Sequence, residues 1–180
     1  MTAPDSGAKG GGTLSWGLVR AILILPGTAL VYVPALILWA TAGTAYAAAP
    51  LGLDRALFWL ALALAASGAA LAAWTVRLFL TVGAGTPAPW DPPRRLVVRG
   101  PYRHVRNPMI TSVLVLLAAE ALLFRSWPLA GWMLVFFAAN AVYFPLVEEK
   151  GLERRFGAAY ARYKRNVPRW LPRPTPWDQP

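Results

Sequence analysis

Three stretches of this 180-residue chain, Ala21 to Leu53, Ala56 to Val76 and Ser126 to Val147, contain no Lys, Arg, Asp or Glu. A helix of about 20 mostly apolar residues crosses the hydrocarbon core of a bilayer. Blocks of this length therefore place the chain in the membrane, and they read as spanning helices. Met109 to Phe124 is shorter and carries Glu120 but is otherwise apolar, which makes it a fourth span. The fold class that follows is an all-α integral membrane protein of about four transmembrane helices.

Charge sets the orientation. Of 18 basic residues, five lie between Arg94 and Arg106 and eight between Lys150 and Arg173, while the opposite loops hold only Arg55 and Arg125. Four spans place both basic segments on one side, and the positive-inside rule makes that side, with both termini, cytoplasmic. The chain thus reads as an integral membrane protein with a basic cytoplasmic side. The net charge of +10 is accounted for by topology and by attraction to anionic lipid headgroups, so nucleic acid is not an expected partner. The absence of cysteine and the single histidine, His104, argue against disulfides and a multi-histidine metal centre.

The chain divides into a disordered tail over 1–15, two helices over 16–82, and a region over 83–180 that holds the chemistry. Pro26 and Pro34 predict a bend or freed carbonyls in the first span. The Ala- and Gly-rich second span, with Gly68 at its centre, predicts close helix packing. Asn107-Pro108 is a helix start with Asn as cap and Pro at the first helical position. Ser126-Trp127-Pro128 turns the third and fourth spans into a hairpin. Beyond Glu148, the residues Leu152, Phe156, Tyr160, Tyr163 and Val167 recur every three or four positions, giving one apolar stripe on a basic amphipathic helix. Such a helix lies on the membrane surface or folds back as a lid.

Two segments carry more than the spans require. The first runs Leu96-Val97-Val98-Arg99-Gly100-Pro101-Tyr102-Arg103-His104-Val105-Arg106-Asn107-Pro108. The second is Glu148-Glu149-Lys150-Gly151-Leu152, then Phe156-Gly157, Tyr160, Tyr163 and Val167-Pro168. Topology brings them to the same membrane depth. One offers guanidinium groups, an imidazole and a helix N-terminus; the other offers two carboxylates and aromatics. A ligand with anionic and cationic ends and sugar hydroxyls fits such a place, and S-adenosylmethionine is one. Its carboxylate suits an arginine fork and free amides at a helix start. Its ammonium or ribose suits a glutamate, and an aromatic ring suits its sulfonium.

In order and spacing, the two segments resemble the isoprenylcysteine carboxyl methyltransferase and phospholipid N-methyltransferase superfamily, over roughly Gly85 to Pro172, as a small bacterial-type member. With that resemblance, the bacterial inner membrane is the expected location. The resemblance implies transfer of a methyl group from S-adenosylmethionine, leaving S-adenosylhomocysteine, to a lipophilic or membrane-partitioned acceptor (a small molecule, a lipid or a lipidated chain). It assigns donor contacts to Arg94, Arg95, Leu96, Val97, Tyr102, Asn107, Pro108, Met109, Ile110 and Glu149. His104, Arg106, Glu148, Tyr160 and Tyr163 join them as neighbours in the same motifs, and Arg106 and Glu149 carry the central roles. Three positions depart from the pattern. Asn107 stands where many members have histidine, Ile110 replaces a common tyrosine, and Pro145 stands where the eukaryotic carboxyl methyltransferases place an arginine. An amine or thiol acceptor is therefore as consistent with the sequence as a carboxylate.

Two other functions compete. A similar hairpin binds a nicotinamide cofactor in membrane sterol reductases, and a basic tail alone serves a non-enzymatic lipid-binding protein. Within the spans, Glu120 needs a partner or a wet cavity. Asn140 and Arg77 are candidates, and Glu120 and Asn140 are also candidate acceptor-site residues.

Overall fold

The computed structural model describes residues 24–85 and 92–178; the expected tail over 1–15 lies outside them. Among the described residues the regular structure is entirely helical. Helix α1 spans Ile24–Thr41 and α2 spans Ala56–Gly83. A 3-10 turn, Gly100–Arg103, precedes α3, Pro108–Leu123. Helix α4, Trp127–Tyr143, continues through a π turn at Phe144–Glu148 into α5, Glu149–Asn166.

Three helical runs, α1, α2 and the continuous α4–α5, are long and apolar enough to cross a membrane. The expectation of four spans meets a shorter α3 of 16 residues. At about 1.5 Å per residue it is roughly 24 Å long, less than the hydrocarbon core of about 30 Å. It is also the most enclosed helix. Its Val113 and Leu117 pack with Ala29 of α1 and with Trp132, Met133 and Phe136 of α4, and its other side lies against α2.

Local chemistry explains both contacts. In α1, the Val33 amide bonds the Thr28 carbonyl in a π turn, and Pro34 has no amide to offer Ala29. The freed Ala29 carbonyl instead accepts a hydrogen bond from Trp132 Nε1 at 2.9 Å, which ties α1 to α4. The expected effect of proline in the first span is thus a freed carbonyl with a specific partner. On α2, Ala61, Gly68 and Thr75 are buried at seven-residue intervals. A Cβ at Gly68 would sit 2.9 Å from Leu116 Cγ and 3.2 Å from the Ser112 carbonyl oxygen, so the glycine permits the close α2–α3 approach.

The amphipathic helix differs from the single straight rod that its periodicity suggests. Gly157, at φ 52° and ψ −128°, breaks α5 with a conformation that side chains oppose. Leu152 and Phe156 before the bend and Tyr160, Tyr163 and Val167 after it converge on one cluster with Leu96, Val98 and Trp177. The apolar stripe is therefore continuous around a corner. After α5 the chain continues as an extended strap along the 103–106 loop.

Candidate functional site

The strap and the loop are bonded in antiparallel order. Arg106 N donates to the Pro168 carbonyl at 2.9 Å, Arg173 N to that of His104 at 3.0 Å, and Trp177 N to that of Arg103 at 3.0 Å. Arg103 Nε returns a bond to the Trp177 carbonyl at 3.1 Å. His104 Nδ1 donates to the Arg173 carbonyl at 2.9 Å, which fixes the imidazole tautomer. The Tyr163 hydroxyl donates to the Tyr102 carbonyl at 2.8 Å, pinning α5 to the same loop. The two motifs of the sequence are thereby stitched into one body.

At its centre is Glu149, 2% exposed. Oε1 accepts from Arg106 Nη1 at 2.8 Å and from Arg169 Nε at 2.6 Å. Lys164 Nζ lies 3.1 Å from Oε2 and 2.9 Å from Glu153 Oε1. The bend at Gly157 makes this possible: fifteen residues of straight helix would separate Glu149 from Lys164 by about 22 Å. Burial pushes the Glu149 carboxyl up, but Arg169, Lys164 and Arg106 outweigh it and hold it below its ordinary value of 4.5. It is therefore an anion at neutral pH.

Several buried polar atoms here lack a hydrogen-bond partner among the described residues: Arg106 Nε, Asn107 Nδ2, Tyr102 Oη and Glu149 Oε2. Glu149 Oε2 is nevertheless charge-paired, with the Lys164 ammonium 3.1 Å away. Buried groups are almost always satisfied, so Arg106 Nε, Asn107 Nδ2 and Tyr102 Oη each call for a partner beyond those present. The phenols are no bases at neutral pH. Burial, then Tyr163, raises Tyr102; burial, then Tyr160, raises Tyr163; burial, then Glu149, raises Tyr160 against Arg106 and Lys164. The cluster offers charge and hydrogen bonds, three cations against Glu149 and its neighbour Glu153, with no neutral-pH proton acceptor among its tyrosines.

The other expected residues fall around this centre or away from it. Asn107 caps α3 by position, but its side chain makes no capping bond; its carbonyl accepts from Thr111 N and Oγ1. Pro108 stands at the first helical position, so Met109 and Ile110 follow it in the first turn, where amides lack intrahelical acceptors. Pro108 and His104 also line a cleft of about 430 Å³ beside Trp74 and Thr111. Val97 is buried and Leu96 packs on the α5 cluster, whereas Arg94 and Arg95 are exposed and bond Gly83 through their amides. Glu148 is half-buried and makes no ion pair among the described residues.

Glu120 lies thirteen residues along α3 from Asn107, about 20 Å away, in a groove of about 210 Å³ with Phe58, Ala61 and Leu62 of α2. The pairings expected for it are not made. Asn140 Nδ2 donates to the Phe136 carbonyl of its own helix, and Arg77 stands at the opposite end of α2. Sequence reasoning missed Lys164, Arg169 and the strap. The available signal was slight: Lys164 is one turn beyond Tyr160, and Arg169 directly follows Val167-Pro168.

The family model described as phospholipid methyltransferase matches residues 56–159, from the start of α2 into α5. No curated protein and no solved structure gives a significant match. The matched segment covers more than half of the chain and contains the 96–108 loop, α3 and Glu149, so the chain belongs to the phospholipid methyltransferase family.

Proposed function

We propose that the protein transfers a methyl group from S-adenosylmethionine to a membrane-borne amphiphile, at the cytoplasmic ends of its helices. The single observation that carries this reading is the set of unsatisfied buried atoms. Arg106 Nε and Asn107 Nδ2 are donors with no acceptor among the described residues, beside the Glu149 carboxylate, whose Oε2 has Lys164 Nζ at 3.1 Å. Together they would complement a zwitterion, with its carboxylate toward Arg106 and Asn107 and its ammonium or ribose toward Glu149. Arg106 and Glu149 are the central pair, and Tyr102, Tyr160, Tyr163 and the first turn of α3 complete the donor contacts.

When bound, S-adenosylmethionine supplies an electrophilic methyl on a sulfonium centre. The chain's own part is to fix the donor and keep water out, which suits a site built of charge pairs and neutral phenols. Membership of the family supports a lipid-related acceptor, and the apolar exterior of the helices gives such a molecule a route through the bilayer. The acceptor-site role of Glu120 and Asn140 is a separate proposal. It requires the acceptor to reach about 20 Å along α3 to meet Glu120.

The reading is tested by adding methyl-labelled S-adenosylmethionine to membranes with and without the protein and extracting the lipids. Label appearing in a lipid-extractable species only with the protein supports it. Label confined to water-soluble products, or equal in both membranes, contradicts it.

A further inference from the structure

Arg169, which bonds Glu149 from the inner side of the strap, is followed by a residue that faces the other way. The Trp170 ring sits edge-on against Phe137 and Phe144, at centroid distances of 5.2 and 5.8 Å. Both belong to the α4 run, whose apolar window is unburied by protein. Around them Val142, Tyr143, Leu146 and Val147 are exposed. Leu171, 81% exposed, extends this apolar surface past the end of the span. Arg165 and Arg173 lie on either side of the two apolar residues in sequence. An aromatic and a leucine set among arginines, continuous with a span, is the pattern of a segment lying in the headgroup region.

We propose that Trp170 is a positioning residue that docks the strap on the bilayer. The strap's partner is the acyl chains and anionic headgroups of membrane lipid, and the docking holds Arg169 on Glu149 and Pro168 on the Arg106 amide. The membrane thus forms part of the support of the buried carboxylate. This does not require the methyl-transfer reading, because the contacts concern the chain and the lipid alone.

The chain has no cysteine, so Leu171→Cys carries a unique bimane label. The full protein is placed in phosphatidylcholine–phosphatidylglycerol vesicles with brominated or ordinary acyl chains. The expected result is loss of most of the fluorescence in brominated vesicles, abolished by Trp170→Ala and kept by Trp170→Phe. In parallel, hydrogen exchange at the Arg106, Arg173 and Trp177 amides should be on the order of tenfold faster in Trp170→Ala, with α2 and α3 unchanged. Absence of bromine quenching in the parent protein overturns the docking, as does protection of the label that depends on protein concentration, which would mark a second copy as the occupant. Quenching with unchanged exchange in Trp170→Ala overturns the coupling to the site. A protein that binds no methyl donor leaves both readouts intact, so failure of the methyl-transfer reading is distinguishable.

Discussion

Arg106 and Glu149 stand 43 residues apart in sequence and meet at 2.8 Å, with side chains only 9% and 3% exposed. Everything between them is the helical hairpin of α3 and α4, so the ion pair closes that hairpin at its basic end. Removing Glu149 strands the buried Arg106 guanidinium, typically at about 3–5 kcal/mol, whereas removing Arg106 leaves Glu149 paired with Arg169 and Lys164. The pair is therefore both structural support and the core of the proposed donor site.

Gly157 turns α5 back so that Lys164 reaches Glu149. Gly157→Ala places a side chain in a conformation that costs about 1–3 kcal/mol, although nothing lies within 4 Å of the new Cβ. We expect a lower melting temperature in detergent. Gly151→Ala, also in open space but at an ordinary helical position, should be neutral or stabilising by up to about 1 kcal/mol. Equal effects of the two substitutions would remove the bend from the account.

The Glu149 carboxyl is held below 4.5 in the folded chain by Arg169, Lys164 and Arg106 acting against burial. The unfolded chain therefore takes up this proton first as pH falls. The stabilisation is fully present above the unfolded value near 4.5 and is lost as pH falls through the folded value. Melting temperature followed downward from neutral pH should drop in that range. Glu149→Gln should be less stable at neutral pH and show a shallower acid dependence.

Much of this was legible in the sequence because it is periodic or local. The uncharged blocks gave the helices, Asn107-Pro108 gave the start of α3, and the order of the two motifs gave the Arg106–Glu149 neighbourhood. What was not legible is long-range and aperiodic. The strap from Pro168 to Trp177 has no repeat to read, because its order comes from single bonds to Arg103, His104 and Arg106. The bend was hidden by an apolar stripe that stays in phase through Gly157, and Lys164 and Arg169 were hidden with it. The Asn107 side chain, expected to cap α3, makes no capping bond, and its Nδ2 has no partner among the described residues.

Trp132 holds the Ala29 carbonyl that Pro34 leaves unsatisfied. Trp132→Phe keeps most of the packing with Val113 and Leu117 but strands that carbonyl, at a cost of about 1–3 kcal/mol. Restoring an amide with Pro34→Ala should reduce the loss. If Trp132→Phe melts like the parent in both backgrounds, the bond contributes nothing.

Orientation is testable in the same cysteine-free chain. Asp54 and Arg99 are both exposed and lie at opposite ends of α2. With the basic end cytoplasmic, Asp54→Cys should react with an impermeant thiol reagent added to intact cells, and Arg99→Cys should react only after lysis. The reverse pattern would invert the topology.

The central claim is that Arg106 and Glu149 together hold a zwitterionic methyl donor. It is tested most directly by calorimetry of S-adenosylhomocysteine binding to the purified protein in detergent, using variants that retain a cooperative melting transition. Losing a desolvated charge-assisted contact costs about 2–5 kcal/mol, roughly 30-fold or more in affinity. Arg106→Lys, which keeps the charge but not the planar fork, and Glu149→Asp, which withdraws the carboxylate by one methylene, should each weaken binding, with Arg106→Ala and Glu149→Gln weaker still. NADPH should give no heat of binding. If the parent protein binds NADPH in place of S-adenosylhomocysteine, or if all four variants bind S-adenosylhomocysteine like the parent, the account of this site is wrong.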